Sequence, residues 1–165
     1  MSFSGDWIRY SLDEVCSNIT DGSHTSPKSV EHGYYMASVK DMNDYGFDFT
    51  NCRMISEADY NKLVNNGCQP QYGDVLIGKD GARYLEDAFV YKQNERVVLL
   101  SSIAILRPNN SKITSEFLYY FLTDKDTKTN IRNNYGSGSA IPRMVLKDFK
   151  RVPINIPSLS EQKAI

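Results

Sequence analysis

The stretch from Gly136 to Ile165, G-S-G-S-A-I-P-R-M-V-L-K-D-F-K-R-V-P-I-N-I-P-S-L-S-E-Q-K-A-I, carries the most decisive pattern in the chain. It opens on a Gly/Ser loop and passes through a short helical turn around Val145 to Phe149. It then becomes extended at Val152-Pro153-Ile154-Asn155-Ile156-Pro157, where the prolines predict an edge strand. Ser158-Leu159-Ser160-Glu161 has the form of a capping box, with the serine hydroxyl placed to accept from the third helical amide and the glutamate to reach back. Glu161 to Ile165 supply about one turn after it, and isolated helices this short are marginal in water. The pattern predicts the first turn of a longer helix that continues past Ile165.

Upstream, turn signals divide the 165 residues into short elements with no repeat or low-complexity tract, so a single unit is expected. Asp21-Gly22-Ser23, Asn43-Asp44-Tyr45-Gly46 and Pro70-Gln71-Tyr72-Gly73-Asp74 read as turns. Tyr34 to Val39, Val75-Leu76-Ile77, Arg96 to Leu100 and Ser102 to Leu106 read as strands, the last ended by Pro108, and the last two as the interior of the sheet. Ser56 is placed to cap a short helix. Ser115 is placed to cap another, in which Phe117, Leu118, Phe121 and Leu122 share a face and which runs to about Asn133. The expected fold is α+β: a mixed, twisted β-sheet domain with short strands and a few flanking helices, ending at the start of a long spacer helix. The expected division is a domain over 1–157 and the first turn of the spacer over 158–165.

Composition narrows the function classes. Nineteen lysines and arginines against 20 acids give a net charge of −1, so any polyanion must be met by a local patch. Cys16, Cys52 and Cys68 form no C-x-x-C pair and lie beside no histidine at zinc spacing, which reads as buried, reduced thiols. No run approaches the roughly 18 apolar residues of a membrane helix, and no signal segment precedes Trp7, so a cytoplasmic protein is expected.

Enzyme signatures are largely absent: there is no phosphate loop of the G-x-x-x-x-G-K-[ST] form, no G-x-S-x-G elbow and no H-E-x-x-H. Gly136-Ser137-Gly138-Ser139 lacks the following helix that a phosphate cradle needs. Glu161-Gln162-Lys163 matches the E-x-K tail of metal-dependent nucleases, but its glutamate is committed to the cap. His24 reads first as a polar loop residue that bonds its own turn, and only second as a ligand contact. Arg143, Lys147, Lys150 and Arg151 fall within nine residues, and Lys79 and Arg83 flank the glycine loop Gly78 to Arg83. Such loops suit phosphate positioning and base-edge readout, although any single lysine is more often simply solvated.

These residues resemble a family. The Gly136 to Pro142 loop, Leu146-Lys147-Asp148-Phe149, the proline-bounded strand and Glu161-Gln162 look like the closing pattern of a target recognition domain from specificity (S) subunits of type I restriction-modification systems. The resemblance extends back through Gly73-Asp74-Val75-Leu76-Ile77 with Lys79-Asp80-Gly81, Gly33-Tyr34-Tyr35-Met36 and Asp21-Gly22-Ser23-His24 to Trp7, covering essentially the whole chain. It implies sequence-specific recognition of one half of a bipartite DNA target, without catalysis by this chain. It also implies methylation (M) subunits as partners and, through them, the restriction (R) subunit. S-adenosylmethionine, ATP and Mg2+ would sit on those partners and no cofactor on this chain. The DNA contacts it suggests are Lys79, Arg83, Ser137, Ser139, Arg143, His24 and Lys147. Alone, the chain is expected to be monomeric and to bind DNA weakly and with strong salt dependence, because few phosphate contacts are available. The alternatives are a recognition module of a type II or phage-defence methyltransferase, and a metal-dependent nuclease.

Overall fold

The computed structural model describes residues 6–136 and 143–165. In chain order the elements are β1 (Ile8–Ser11), α1 (Leu12–Val15), β2 (Cys16–Asp21), β3 (Ser29–Val30), β4 (Tyr34–Ala37), a 3-10 turn (Val39–Asp41), β5 (Arg53–Ile55) and α2 (Glu57–Asn65). They continue with β6 (Val75–Gly78), β7 (Ala88–Val90), β8 (Val97–Leu99), β9 (Ile103–Pro108), α3 (Ser115–Thr123), α4 (Lys125–Asn134), α5 (Leu146–Arg151), β10 (Pro153–Ile156) and α6 (Leu159–Lys163). The fold class is the α+β expected, with two four-stranded sheets, β2-β9-β6-β7 and β3-β5-β4-β8, and a ribbon of β1 with β10. Among these pairings only β4 with β8 is parallel.

Side-chain alternation explains the layering. Val75 and Ile77 of β6, with Ala104 and Leu106 of β9, face a helical layer that contributes Leu12, Phe117, Leu118, Leu122, Ile131 and Phe149. The intervening Leu76, Ile103 and Ile105 face the second sheet, where Ala37, Val97 and Leu99 meet them. That sheet's other face carries Met36, Ile55 and Val98 against Tyr60 and Leu63 of α2. The order is thus helices, sheet, sheet, helix. β6 and most of β9 are covered on both faces, which is why they read as unbroken apolar runs.

Several expectations need correction. β9 is interior to its sheet, but β8 is an edge strand, because two sheets stand where the sequence suggests one. The first helix of the Phe/Leu face is capped by Thr114, whose Oγ1 accepts from the Phe117 N–H at 3.1 Å; Ser115 donates instead to the Gly73 carbonyl at 2.6 Å. The helix does not run on to Asn133. Asp124 ends α3 and caps α4 by accepting from Thr127 N–H at 3.0 Å, a bond that holds its carboxyl below the usual range. Asp21-Gly22-Ser23 is no free turn, since Asp21 closes β2 and Ser23 bridges to Leu100. At Ser158 one half of the capping box forms, with Ser158 Oγ accepting from Glu161 N–H at 3.3 Å. Thr114→Ala should remove the α3 cap and lower stability by about 1 kcal/mol, a drop of about 2–4 °C in thermal midpoint. A melt indistinguishable from wild type would mean that the cap is dispensable.

No helix among the described residues is long and apolar enough to cross a membrane. The three cysteines are free and buried, and burial pushes the Cys16 and Cys52 thiols up to about 12.

Candidate functional site

Three segments that the sequence marks separately meet at one corner, where β2 and β6 end and β8 turns into β9. Gly22 carries the chain past that turn so closely that its amide donates to the Ile103 carbonyl at 3.2 Å. Ser23 then exchanges two bonds with the turn: its N–H donates to Leu99 O at 2.7 Å, and its carbonyl accepts from Ser101 N–H at 2.9 Å. Its hydroxyl holds the next residues as well, donating to Thr25 O at 2.7 Å. His24 is therefore presented from a fixed turn, its ring largely exposed, with Nε2 3.0 Å from Asp21 Oδ2.

The Gly78 to Arg83 loop enters the same corner. The Lys79 N–H donates to Ser102 O at 2.9 Å, the Lys79 carbonyl accepts from Met144 N–H at 2.7 Å, and Asp80 pairs with Arg143 in an antiparallel bridge. Lys79 is thus the junction of the β6 end, the β8–β9 turn and the segment arriving from the Gly/Ser loop. Its side chain, expected outside as a DNA contact, is buried, with Nζ 3.5 Å from both Asp21 Oδ2 and Asp80 Oδ1. Desolvating an ammonium this far requires such paired carboxylates.

Arg83 is exposed and forms a bidentate contact with Asp87, NH2 to Oδ1 at 3.1 Å and Nε to Oδ2 at 3.5 Å, which raises its pKa further. The loop behind it is closed by Leu85, fully buried at φ 71° with its N–H on Gly78 O at 2.7 Å. A leucine adopts that left-handed conformation only where packing forces it. Arg143 is exposed beside Asp80, and Lys147 is exposed on α5; no side-chain hydrogen bond or ion pair among the described residues ties Lys147 to the corner. Ser137 and Ser139 lie outside the described residues.

Sequence reasoning missed two parts of this corner. The first is Asp21, which links His24 to Lys79; a lone acid at a strand end gives no signal of that role. The second is an open cleft in front of the loop, lined by Lys40, Met42, Asp80, Gly81, Arg83 and Asp87 among others. Its cations are largely matched in place, Lys40 by Asp41 at 2.7 Å and Arg83 by Asp87. The corner therefore offers exposed hydrogen-bond donors on a stiff frame, without a strong positive field. No group of His, Cys, Asp and Glu among the described residues is arranged to hold a metal ion, and Glu161 spends its backbone N–H on the α6 cap.

A family model described as the type I restriction modification DNA specificity domain matches residues 5–165. A search of curated proteins finds no match. Among solved structures, a chain from work on complex assembly and conformational transition of the type I R-M system superposes with TM-score 0.68 at 22% identity, covering 99% of this chain and 37% of that one. The HsdS subunit from Thermoanaerobacter tengcongensis gives 0.61 at 22% identity, with 99% and 36% covered. The S subunit from M. genitalium gives 0.59 at 14% identity, with 99% and 38% covered. The chain thus spans somewhat more than a third of each of these.

Proposed function

The chain belongs to the family of type I restriction modification DNA specificity domains, and on that footing we propose that it reads one half of a split duplex target for a methylating and cleaving complex. The observation that carries this reading is the convergence of the His24 turn, the Lys79–Arg83 loop and Arg143 on one corner, through the Lys79 main-chain bonds and the Asp80–Arg143 bridge. His24, Arg83 and Arg143 present donors of the kind that reads guanine N7 and O6 or holds phosphate. Lys79 supports them from beneath by fixing Asp21 and Asp80, and Lys147 extends the basic edge along α5. Ser137 and Ser139 remain proposed phosphate contacts.

The domain performs no chemistry in this reading. Methylation and cleavage belong to the M and R subunits, which would hold S-adenosylmethionine, ATP and Mg2+. Because the corner's charges are mostly paired and the chain's net charge is −1, few counterions would be released on binding. Affinity of the domain alone is accordingly low and salt-sensitive, and tight binding comes with the assembled complex.

Methylome sequencing of a host carrying the parent gene with its methyltransferase partner tests the reading. A split methylated motif that disappears on deletion of the gene is expected, and an unchanged methylome would overturn it. In the reconstituted complex, Arg143→Ala should cost about 1–3 kcal/mol in binding and relax one motif position. Unchanged affinity and motif would remove Arg143 from the interface.

A further inference from the structure

We propose that Tyr45 is a DNA-reading side chain, its aromatic ring entering a groove of the target duplex beside the loop corner. This rests on the recognition function proposed above and adds a residue to it. Tyr45 is 91% exposed, the most exposed of the large apolar and aromatic side chains described. Exposure alone is ordinary for a surface tyrosine; its mounting and position are the argument.

Tyr45 sits at the tip of a short hairpin closed by the Met42–Phe47 bridge. Asn43 Oδ1 accepts from both the Tyr45 N–H at 2.9 Å and the Gly46 N–H at 3.0 Å, while the Asn43 N–H donates to Gly46 O at 2.9 Å. Gln93 clamps the base from the far side, accepting from Phe47 N–H at 2.7 Å and donating to Phe47 O at 3.0 Å. Phe47 in turn packs edge-on to Phe89 with ring centroids 5.0 Å apart. With the hairpin backbone already held, binding has mainly the two side-chain torsions of the ring to order, as at aromatic anchors of other interfaces.

The hairpin stands beside the corner already described. Met42 lines the cleft together with Gly81 and Arg83, and Asp44, the neighbour of Tyr45, lies within electrostatic reach of Arg83. An aromatic ring can contact a thymine methyl or stack on an unstacked base without contributing charge. That suits a surface whose cations are matched by carboxylates. Tyr72 is a natural contrast, since it is 74% exposed but lies in the turn that precedes β6, at the end opposite Lys79.

The test uses the complete specificity subunit assembled with its methylation subunits. The probe is a duplex carrying the motif found by methylome sequencing, set against a duplex with that motif scrambled. Tyr45→Ala should weaken motif binding about ten-fold, with the thermal midpoint within about 2 °C of wild type. Tyr45→Phe should stay within about two-fold of wild type, because the ring is what binds. Tyr72→Ala should match wild type. The proposal is overturned if Tyr45→Ala binds like Tyr72→Ala, or if Tyr45→Phe loses as much as Tyr45→Ala. A wild-type complex that fails to tell the two duplexes apart would overturn the recognition function as well.

Discussion

Gly22→Ala should lower the thermal midpoint by about 10 °C, the largest loss expected from removing no side-chain atom at all. A Cβ at this position would lie 2.2 Å from the Leu99 carbonyl oxygen and 2.3 Å from that of Leu100. Neither oxygen is free to retreat. Leu99 O accepts from Ser23 N–H, Leu99 N–H donates to Cys68 O, and Leu100 N–H donates to Ala37 O. The overlap is with main chain on both counts, so it belongs at the upper end of overpacking costs, about 3 kcal/mol or more. Gly67→Ala is the internal comparison: at φ +83° with nothing within 4 Å of the added carbon, it meets only left-handed strain. That strain costs about 1–2 kcal/mol, a midpoint drop of a few degrees. Equal melts for the two variants would show that the β2 corner gives way more easily than its hydrogen bonds indicate.

The second large effect is at Lys79. Lys79→Met keeps most of the stem but removes the ammonium, leaving Asp21 buried with the His24 ring at 3.0 Å as its remaining side-chain partner among the described residues. Breaking one side of a buried pair typically costs about 3–5 kcal/mol. Because His24 remains, a value near about 3 kcal/mol is expected, read by chemical denaturation. The double variant Lys79→Met with Asp21→Asn should recover much of that loss, since removing both charges of such a pair is often close to neutral. If the double variant is as unstable as the two singles combined, Lys79 and Asp21 are not coupled. Lys79→Met should also weaken DNA binding, because its ammonium ties Asp21 beneath the His24 turn to Asp80 of the loop that bridges to Arg143.

Much of this architecture is legible where it is local. Val75-Leu76-Ile77 is a strand because three apolar residues follow strong turn chemistry, and the Ser56 cap and the Asn43–Gly46 turn form as their side chains dictate. The split at Asp124 is harder to see. A helical pattern continues across it, and only the competition of a carboxylate for the Thr127 amide breaks it. Lys79 shows the clearest limit of local reading. A lysine beside two glycines looks like a surface contact until Asp21 arrives from another strand, a tertiary event without a local sign. The same holds for the corner itself: His24, Arg83 and Arg143 are each visible as polar loop residues, but their meeting depends on backbone bonds to Ser102 and Met144. Tyr45 belongs to a turn that is readable and to a position beside Arg83 that is not.

The ribbon of β1 and β10 has a consequence of its own. Ile8 lies opposite Ile156 and Ser11 opposite Pro153, so the strand entering the domain and the strand leaving it run side by side in opposite directions. Cα atoms paired in this way are only about 5 Å apart. Topologically, everything between Leu12 and Val152 is then a closed excursion that departs from and returns to a single gate. The gate is not independent of the excursion, since Ile154 and Ile156 share a core with Val75, Ile77 and Leu106. Changes at the corner that spare those contacts are expected to leave the spacing of the two ends as it is.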